Sequence, residues 1–476
     1  MQVLSVASEI YPLVKTGGLA DVTGALPAAL APLKVKMRSL VPGYPAVLSG
    51  LKNGSVVHAF GDLFGGPASV VAGTVQGLDL LVLDAPHLYN RPGNIYLSPD
   101  GKDWGDNAAR FGALAFAAAE IGRGLLPGYQ PDVLQLHDWQ AALAAVYVKF
   151  GGGPRTLVTV HNIAFQGVFP ASSFAALKLP PQAFAVEGLE YYGNVSFLKG
   201  GLAVADAIST VSPTYAQEIC TPEFGMGLDG LLRARRTVLS GIVNGIDDIV
   251  WNPATDAQLA KKYDAVALAK RDGNKRMLEQ RFGLDAGDGI LHGVVSRLTT
   301  QKGLDILASH LDWLVETGAR LALIGTGDAA IGAAFKSAVA KHKGRIGAVF
   351  GYDEGLSHLI QGGADTILVP SRFEPCGLTQ LYGLRYGCIP VVGRTGGLAD
   401  TVIDANEAAL GSGVATGVQF TPIDGVTLQA ALARTARLFA DKPVWRTMQA
   451  RAMAQDVSWG RSAAAYMKLY RSLISA

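Results

Sequence analysis

At 476 residues the chain exceeds what one hydrophobic core of ordinary size holds, so two domains are expected. A net charge of +2, without any Lys/Arg-rich block, argues against nucleic acid as a partner. Although 49% of residues are hydrophobic, no run of 18 apolar residues is present to span a bilayer, and a soluble protein is expected.

Secondary signals agree with that class. The start MQVLSVASEI lacks a basic region before its apolar stretch and reads as a core strand rather than a signal peptide. Cys220, Cys376 and Cys388 are widely spaced and odd in number, which suits a reducing compartment, so a cytoplasmic location is expected. The eight histidines are never closer than 16 positions, and no Asp-x-Asp pair occurs, so neither a metal nor an organic cofactor is expected.

In chain order, the first predicted strand is VLSVASE (3–9), and KTGGLADV (15–22) follows it into a helix. A Gly-Gly pair there reads equally well as a flexible turn or as an anion site, where small residues admit a phosphate to helix N–H groups beside Lys15. Further strands are predicted at DLLVLDAP (79–86), DVLQLHD (132–138), TLVTVHN (156–162) and AISTVSP (207–213), with a helix over RFGALAFAAAEIGRGLL (110–126). A boundary is expected near GIVNGID (241–247). The second series is ILHGVVSRL (290–298), RLALIGTGD (320–328), IGAVFGYDE (346–354), TILVPSRFE (366–374) and CIPVVGRTGG (388–397). Continuous apolar runs imply strands buried on both faces, and intervening helices imply parallel pairing, hence an α/β chain with two doubly wound, Rossmann-like sheets.

Such sheets bind ligands beyond the carboxyl ends of their strands, and two facing domains would share a central cleft. His137 and Asp138 end one predicted strand, His161 and Asn162 another, and Arg297 a third, with Lys302 five residues on. SRFEPCGLTQLYGLRYG (371–387) places Glu374 before a helix opening near Gly377, Leu378 and Thr379. Taken singly, Glu374 reads as a surface carboxylate and Cys376 as an inert buried thiol. The glycine pair in RTGGLAD (394–400) fits a phosphate or sugar contact and a tight turn equally well.

KTGGLADV, HDWQAAL (137–143), HNIAFQG (161–167), VNGID (243–247), SRLTTQKG (296–303) and SRFEPCGLTQLYGLRYG together resemble the bacterial glycogen synthases, close to plant starch synthases. The likeness runs in order along essentially the whole chain. It implies the GT-B fold, with a first domain over 1–243 completed by 457–476 on the acceptor side, and a second over 244–456 on the donor side. It also implies metal-independent transfer of glucose from ADP-glucose to the non-reducing end of glycogen or another α-1,4-glucan, with retention at the anomeric carbon.

Carried over residue by residue, the resemblance puts Lys15 and the Gly17–Gly18 backbone on the nucleotide diphosphate. Arg297 and Lys302 hold the distal phosphate, assisted by N–H groups in the segment Cys376, Gly377, Leu378 and Thr379. His161 lines the donor glucose near its anomeric centre and 6-hydroxyl, and Glu374 orients the 3- and 4-hydroxyls. Asp138 is a carboxylate near the reacting sugar, Asn244 a donor-site amide and Tyr352 the ring on which adenine stacks.

Two rival functions are weaker. The G-x-G spacing of LIGTGDAAIG (323–332) suggests an NAD-dependent dehydrogenase, but its third position is Ala330 and it leaves the other blocks unexplained. A catalytically silent glucan-binding homologue is disfavoured by the full set Lys15, Arg297, Lys302 and Glu374. Finally, Trp459, Ala463, Tyr466, Tyr470 and Leu473 form one helical stripe. Sequence neighbours make the second domain its default partner. The resemblance implies instead a return to the first domain after a break near Asp456, giving a two-stranded hinge for closure.

Overall fold

The computed structural model describes residues 1–475; Ala476, the last residue of the expected terminal helix, lies outside the described residues. Two compact units are present: Met1–Ile242 with the chain from Trp459 onward, and Val243–Ser458.

The first unit carries strands β1 (Gln2–Val6), β2 (Lys36–Pro42), β3 (Lys52–Phe60), β4 (Ala68–Val75), β5 (Leu78–Asp84), β6 (Val133–His137) and β7 (Arg155–Val160). They are followed by β8 (Val168–Pro170), β9 (Glu190–Tyr191), β10 (Asn194–Ser196), β11 (Ala207–Thr210) and β12 (Leu239–Gly241). Nine of them form one sheet in the order β12-β11-β7-β6-β1-β2-β5-β4-β3. From β12 to β5 every pairing is parallel, and the continuous runs of β1, β5, β6, β7 and β11 are almost wholly buried, as strands covered on both faces must be.

The sheet is not parallel throughout. β4 pairs antiparallel with β5, and β3 antiparallel with β4, so the Ala- and Gly-rich segment 61–73 supplies most of one strand of an edge hairpin. β3 is exposed along nearly its whole length and interrupted by two register shifts, as suits a strand with one free edge. β8, β10 and β9 make a separate small antiparallel sheet.

One face of the large sheet is closed by two helices, Gly18–Leu30 and Trp459–Ser475. Val22, Leu26 and Leu30 of the first meet Trp459, Ala463, Tyr466, Met467, Tyr470 and Leu473 of the second over Val3, Val133, Leu157 and Ala207. The Tyr470 hydroxyl donates to Gln135 Oε1 on β6, satisfying two buried polar groups at once.

The second unit holds β13 (Leu291–Val295), β14 (Arg320–Gly325), β15 (Ile346–Phe350), β16 (Thr366–Val369), β17 (Ile389–Gly393) and β18 (Val418–Phe420), all parallel in the order β15-β14-β13-β16-β17-β18. Side-chain alternation divides its core. Leu321, Leu323, Ile389 and Val391 pack on one face, and Ala322, Ile324, Val369 and Val392 on the other. Among the described residues, no helix is long and apolar enough to cross a membrane.

Candidate functional site

In the parallel part of each sheet the chain order reverses once. It does so between β1 and β6 in the first and between β13 and β16 in the second. At such a point adjacent strands send their following loops to opposite faces, which opens a crevice at their carboxyl ends. In the first unit that end carries the Lys15 loop after β1, Asp138 after β6 and His161 after β7. In the second it carries Arg297 and Lys302 after β13, Tyr352 after β15 and Glu374 after β16.

The loop after β1 is stapled by a residue that sequence reasoning missed. Glu9, 3% exposed, accepts from the backbone N–H and hydroxyl of Thr16, from Gly17 N–H at 3.3 Å and from the Tyr96 hydroxyl at 2.6 Å. Its one visible signal is a carboxylate inside an otherwise apolar run. The Gly17 N–H is thus already engaged. Gly17 is extended (φ −159°), and a Cβ on Gly17 or Gly18 would meet no atom within 4 Å, so neither packing nor backbone conformation demands glycine there. Lys15 lies beside the pair, its Nζ 2.7 Å from Asp21 Oδ1, with the side chain 40% exposed.

The RTGG pair is different. A Cβ on Gly396 would lie 2.0 Å from Glu374 O, and one on Gly397 would lie 2.3 Å from Cys376 O. These glycines let two backbones cross and brace the segment that carries Glu374. Gly325 and Gly327 of the GTG motif likewise sit against Ser296 O and Leu298 O, at 2.0 and 2.4 Å from an added Cβ, while Asp328 caps the next helix. The dinucleotide spacing is therefore used for packing beneath the Arg297 loop.

Asp138 adopts a left-handed backbone (φ +54°) where β6 turns into the helix Asp138–Gly151. Its Oδ1 accepts from His161 N–H at 2.6 Å and Asn162 N–H at 3.4 Å, which ties the loops after β6 and β7 together. Burial raises its pKa to about 7, against those two hydrogen bonds. His161 Nε2 lies 2.9 Å from His137 Nδ1, and burial pushes the His161 imidazole down to about 3.

In the second unit, Glu374 Oε2 accepts from Lys302 Nζ at 2.5 Å and from Ser371 Oγ at 2.9 Å. Arg297 is exposed, and its side chain makes no hydrogen bond or ion pair with the described residues. Gly377 has φ +76°, and Leu378 precedes the helix Thr379–Tyr386, which has no side-chain cap on its first N–H groups. Asn244 lies against this segment: its backbone N–H donates to the Cys376 sulfur, whose thiol burial pushes up to about 12. The Asn244 Oδ1 is buried without a hydrogen-bond partner among the described residues. Tyr352 is 78% exposed at the end of β15.

A family model for the starch synthase catalytic domain matches residues 2–234. The glycogen synthase of Rhodopseudomonas palustris (strain BisB18) is 58% identical, over 99% of this chain and 97% of its own. Glycogen synthase 1 of Rhizobium meliloti (strain 1021) is 56% identical over 100% of both chains. Among solved structures, the catalytic domain of starch synthase IV from Arabidopsis thaliana, bound to ADP and acarbose, matches with a TM-score of 0.87 at 31% identity, over 100% of this chain and 99% of that one. The chain belongs to the glycogen synthase family, glycosyltransferases of the GT-B fold.

Proposed function

We propose that the chain transfers glucose from ADP-glucose to the non-reducing end of an α-1,4-glucan, with retention at the anomeric carbon, and works in the cytoplasm. One observation carries this reading. Arg297 and Lys302 follow β13 and the uncapped helix Thr379–Tyr386 follows β16, so cations and helix N–H groups flank the switch point of the second sheet.

As the bond from the anomeric carbon to phosphate breaks, the departing ADP gains negative charge. Donors fixed beforehand stabilise that charge more than they stabilise the bound ground state. Lys302 has three donor hydrogens and gives one to Glu374, which leaves two for phosphate oxygens. Arg297 adds its fork, and in the first unit Lys15 beside the Gly17–Gly18 pair is a further cation suited to phosphate. Glu374, engaged by both Lys302 and Ser371, is a weak nucleophile and suits orientation of the sugar 3- and 4-hydroxyls. Retention then comes from attack on the face that ADP leaves, the departing phosphate oxygen taking the acceptor hydroxyl's proton. His161 and Asp138 line the sugar, Asn244 Oδ1 accepts a hydrogen bond from the donor, and adenine stacks on Tyr352.

The test is incorporation of labelled glucose into glycogen from ADP-glucose and, in parallel, from UDP-glucose. Label that β-amylase releases as maltose is expected with ADP-glucose. Absence of incorporation from either donor would overturn the reading.

A further inference from the structure

Ser5, His137 and His161 lie on or just after β1, β6 and β7, three neighbouring strands of the first sheet. Ser5 Oγ is 3.1 Å from His137 Nε2, and His137 Nδ1 is 2.9 Å from His161 Nε2. The three are 1%, 0% and 9% exposed. Burial lowers the pKa of both imidazoles, so both rings are neutral and each carries one N–H.

Two proton arrangements satisfy the contact between the rings. In one, His161 Nε2–H donates to His137 Nδ1 and His137 Nε2–H donates to Ser5 Oγ. The Ser5 hydroxyl hydrogen then has no acceptor, because His137 is the only hydrogen-bond partner of this side chain among the described residues. In the other, Ser5 O–H donates to His137 Nε2 and His137 Nδ1–H donates to His161 Nε2. The hydrogens of Ser5 and His137 are then both used, and the one left over is on His161 Nδ1, an atom that is not fully buried, where water or a ligand can accept it; an unused hydrogen costs less there than on Ser5.

We infer that Ser5 and His137 are positioning residues that hold His161 as its Nδ1–H tautomer, so that it presents a hydrogen-bond donor, never an acceptor, to the reacting sugar. The sugar as the recipient rests on the proposed function; the tautomer does not. His161 Nδ1 has no partner among the described residues, which leaves its N–H for a ligand oxygen. A donor fixed in this way serves a hydroxyl or ring oxygen of glucose. In the reversed tautomer the same position would offer only a lone pair, which can accept from a hydroxyl hydrogen but repels the ring oxygen.

The experiment is long-range 1H–15N correlation on the full-length protein labelled at histidine nitrogens, with His161 assigned through His161→Gln. A protonated Nδ1 and bare Nε2 on His161 are expected, shifting to a mixture of tautomers in Ser5→Ala. In kinetics, His137→Leu should lower kcat on the order of a hundredfold, comparable with losing one preorganised donor, with a much smaller change in KM for ADP-glucose. His137→Asn, whose amide nitrogen can stand where Nδ1 stood, should restore most of that loss. A protonated Nε2 on His161 in the unaltered protein overturns the inference, as does equal impairment of the Asn and Leu variants when both fold. Full activity of His161→Ala beside the expected tautomer signal would instead retire the placing of His161 on the sugar and leave the relay standing.

Discussion

Lys302 Nζ lies 2.5 Å from Glu374 Oε2, in an ion pair whose side chains are only 18% and 8% exposed. The two residues are 72 positions apart and meet because β13 and β16 are neighbours in the sheet. A cation held this way is preorganised, yet it still has donors to spare for phosphate.

Lys302→Ala should therefore reduce turnover by about a hundredfold, and Arg297→Ala similarly, with smaller effects on donor binding. The Lys302→Ala/Glu374→Ala double variant should lose less than the sum of the single losses, because each substitution also breaks the pair. Strict additivity in steady-state turnover would show that the two act separately.

Tyr352 offers an exposed ring at the end of β15. Tyr352→Ala should raise KM for ADP-glucose more than for UDP-glucose, since stacking scales with base area and is worth about 0.5–1.5 kcal/mol. Equal increases for the two donors would remove adenine from this ring.

Asp138 links pH to stability. Its pKa is raised from 3.8 to about 7, so between those values the native state keeps a proton that the unfolded chain has released. Stability from this residue is consequently lost as pH rises through that window. Asp138→Asn keeps an acceptor for His161 N–H and tolerates the left-handed backbone. It should match the unaltered protein near pH 4 and be the more stable of the two above pH 7, by at most about 4 kcal/mol. Denaturant titrations at the two pH values measure the difference, and an identical difference at both would contradict the raised pKa.

Removal of residues 459–476 should expose Val22, Leu26 and Leu30 and strip Gln135 Oε1 of its donor. The truncated chain is expected to aggregate and to lose activity, although none of the proposed site residues is deleted. Tyr470→Phe should cost about 1–3 kcal/mol, because it leaves Gln135 Oε1 buried without its donor. A soluble, active truncation would show that the helix is dispensable.

Most parallel strands were legible because burial on both faces leaves continuous apolar runs, which is how β1, β5, β6, β7 and β13 to β17 announce themselves. β2 escaped notice, since KMRSLVP is broken by charged and polar residues, and β3 and β4 because an exposed antiparallel edge needs no such run. The positions of Asp138, His161, Arg297 and Glu374 at strand ends were also readable, because in this class of sheet those ends face the ligand.

What remained undecided was what each residue touches. The glycine pairs at 17–18 and 396–397 look alike in sequence. Only the surrounding chain shows that the first leaves room for a side chain and the second is wedged against the backbone at Glu374 and Cys376. The stripe on the terminal helix was equally visible, whereas its partner, the helix Gly18–Leu30, lies more than four hundred residues earlier in the chain. Periodicity records which face of an element is apolar. The identity of the covering surface, and of the polar atoms that meet across it such as Glu9 with Tyr96 or Ser5 with His137, depends on contacts between distant segments and comes into being only when the sheet assembles.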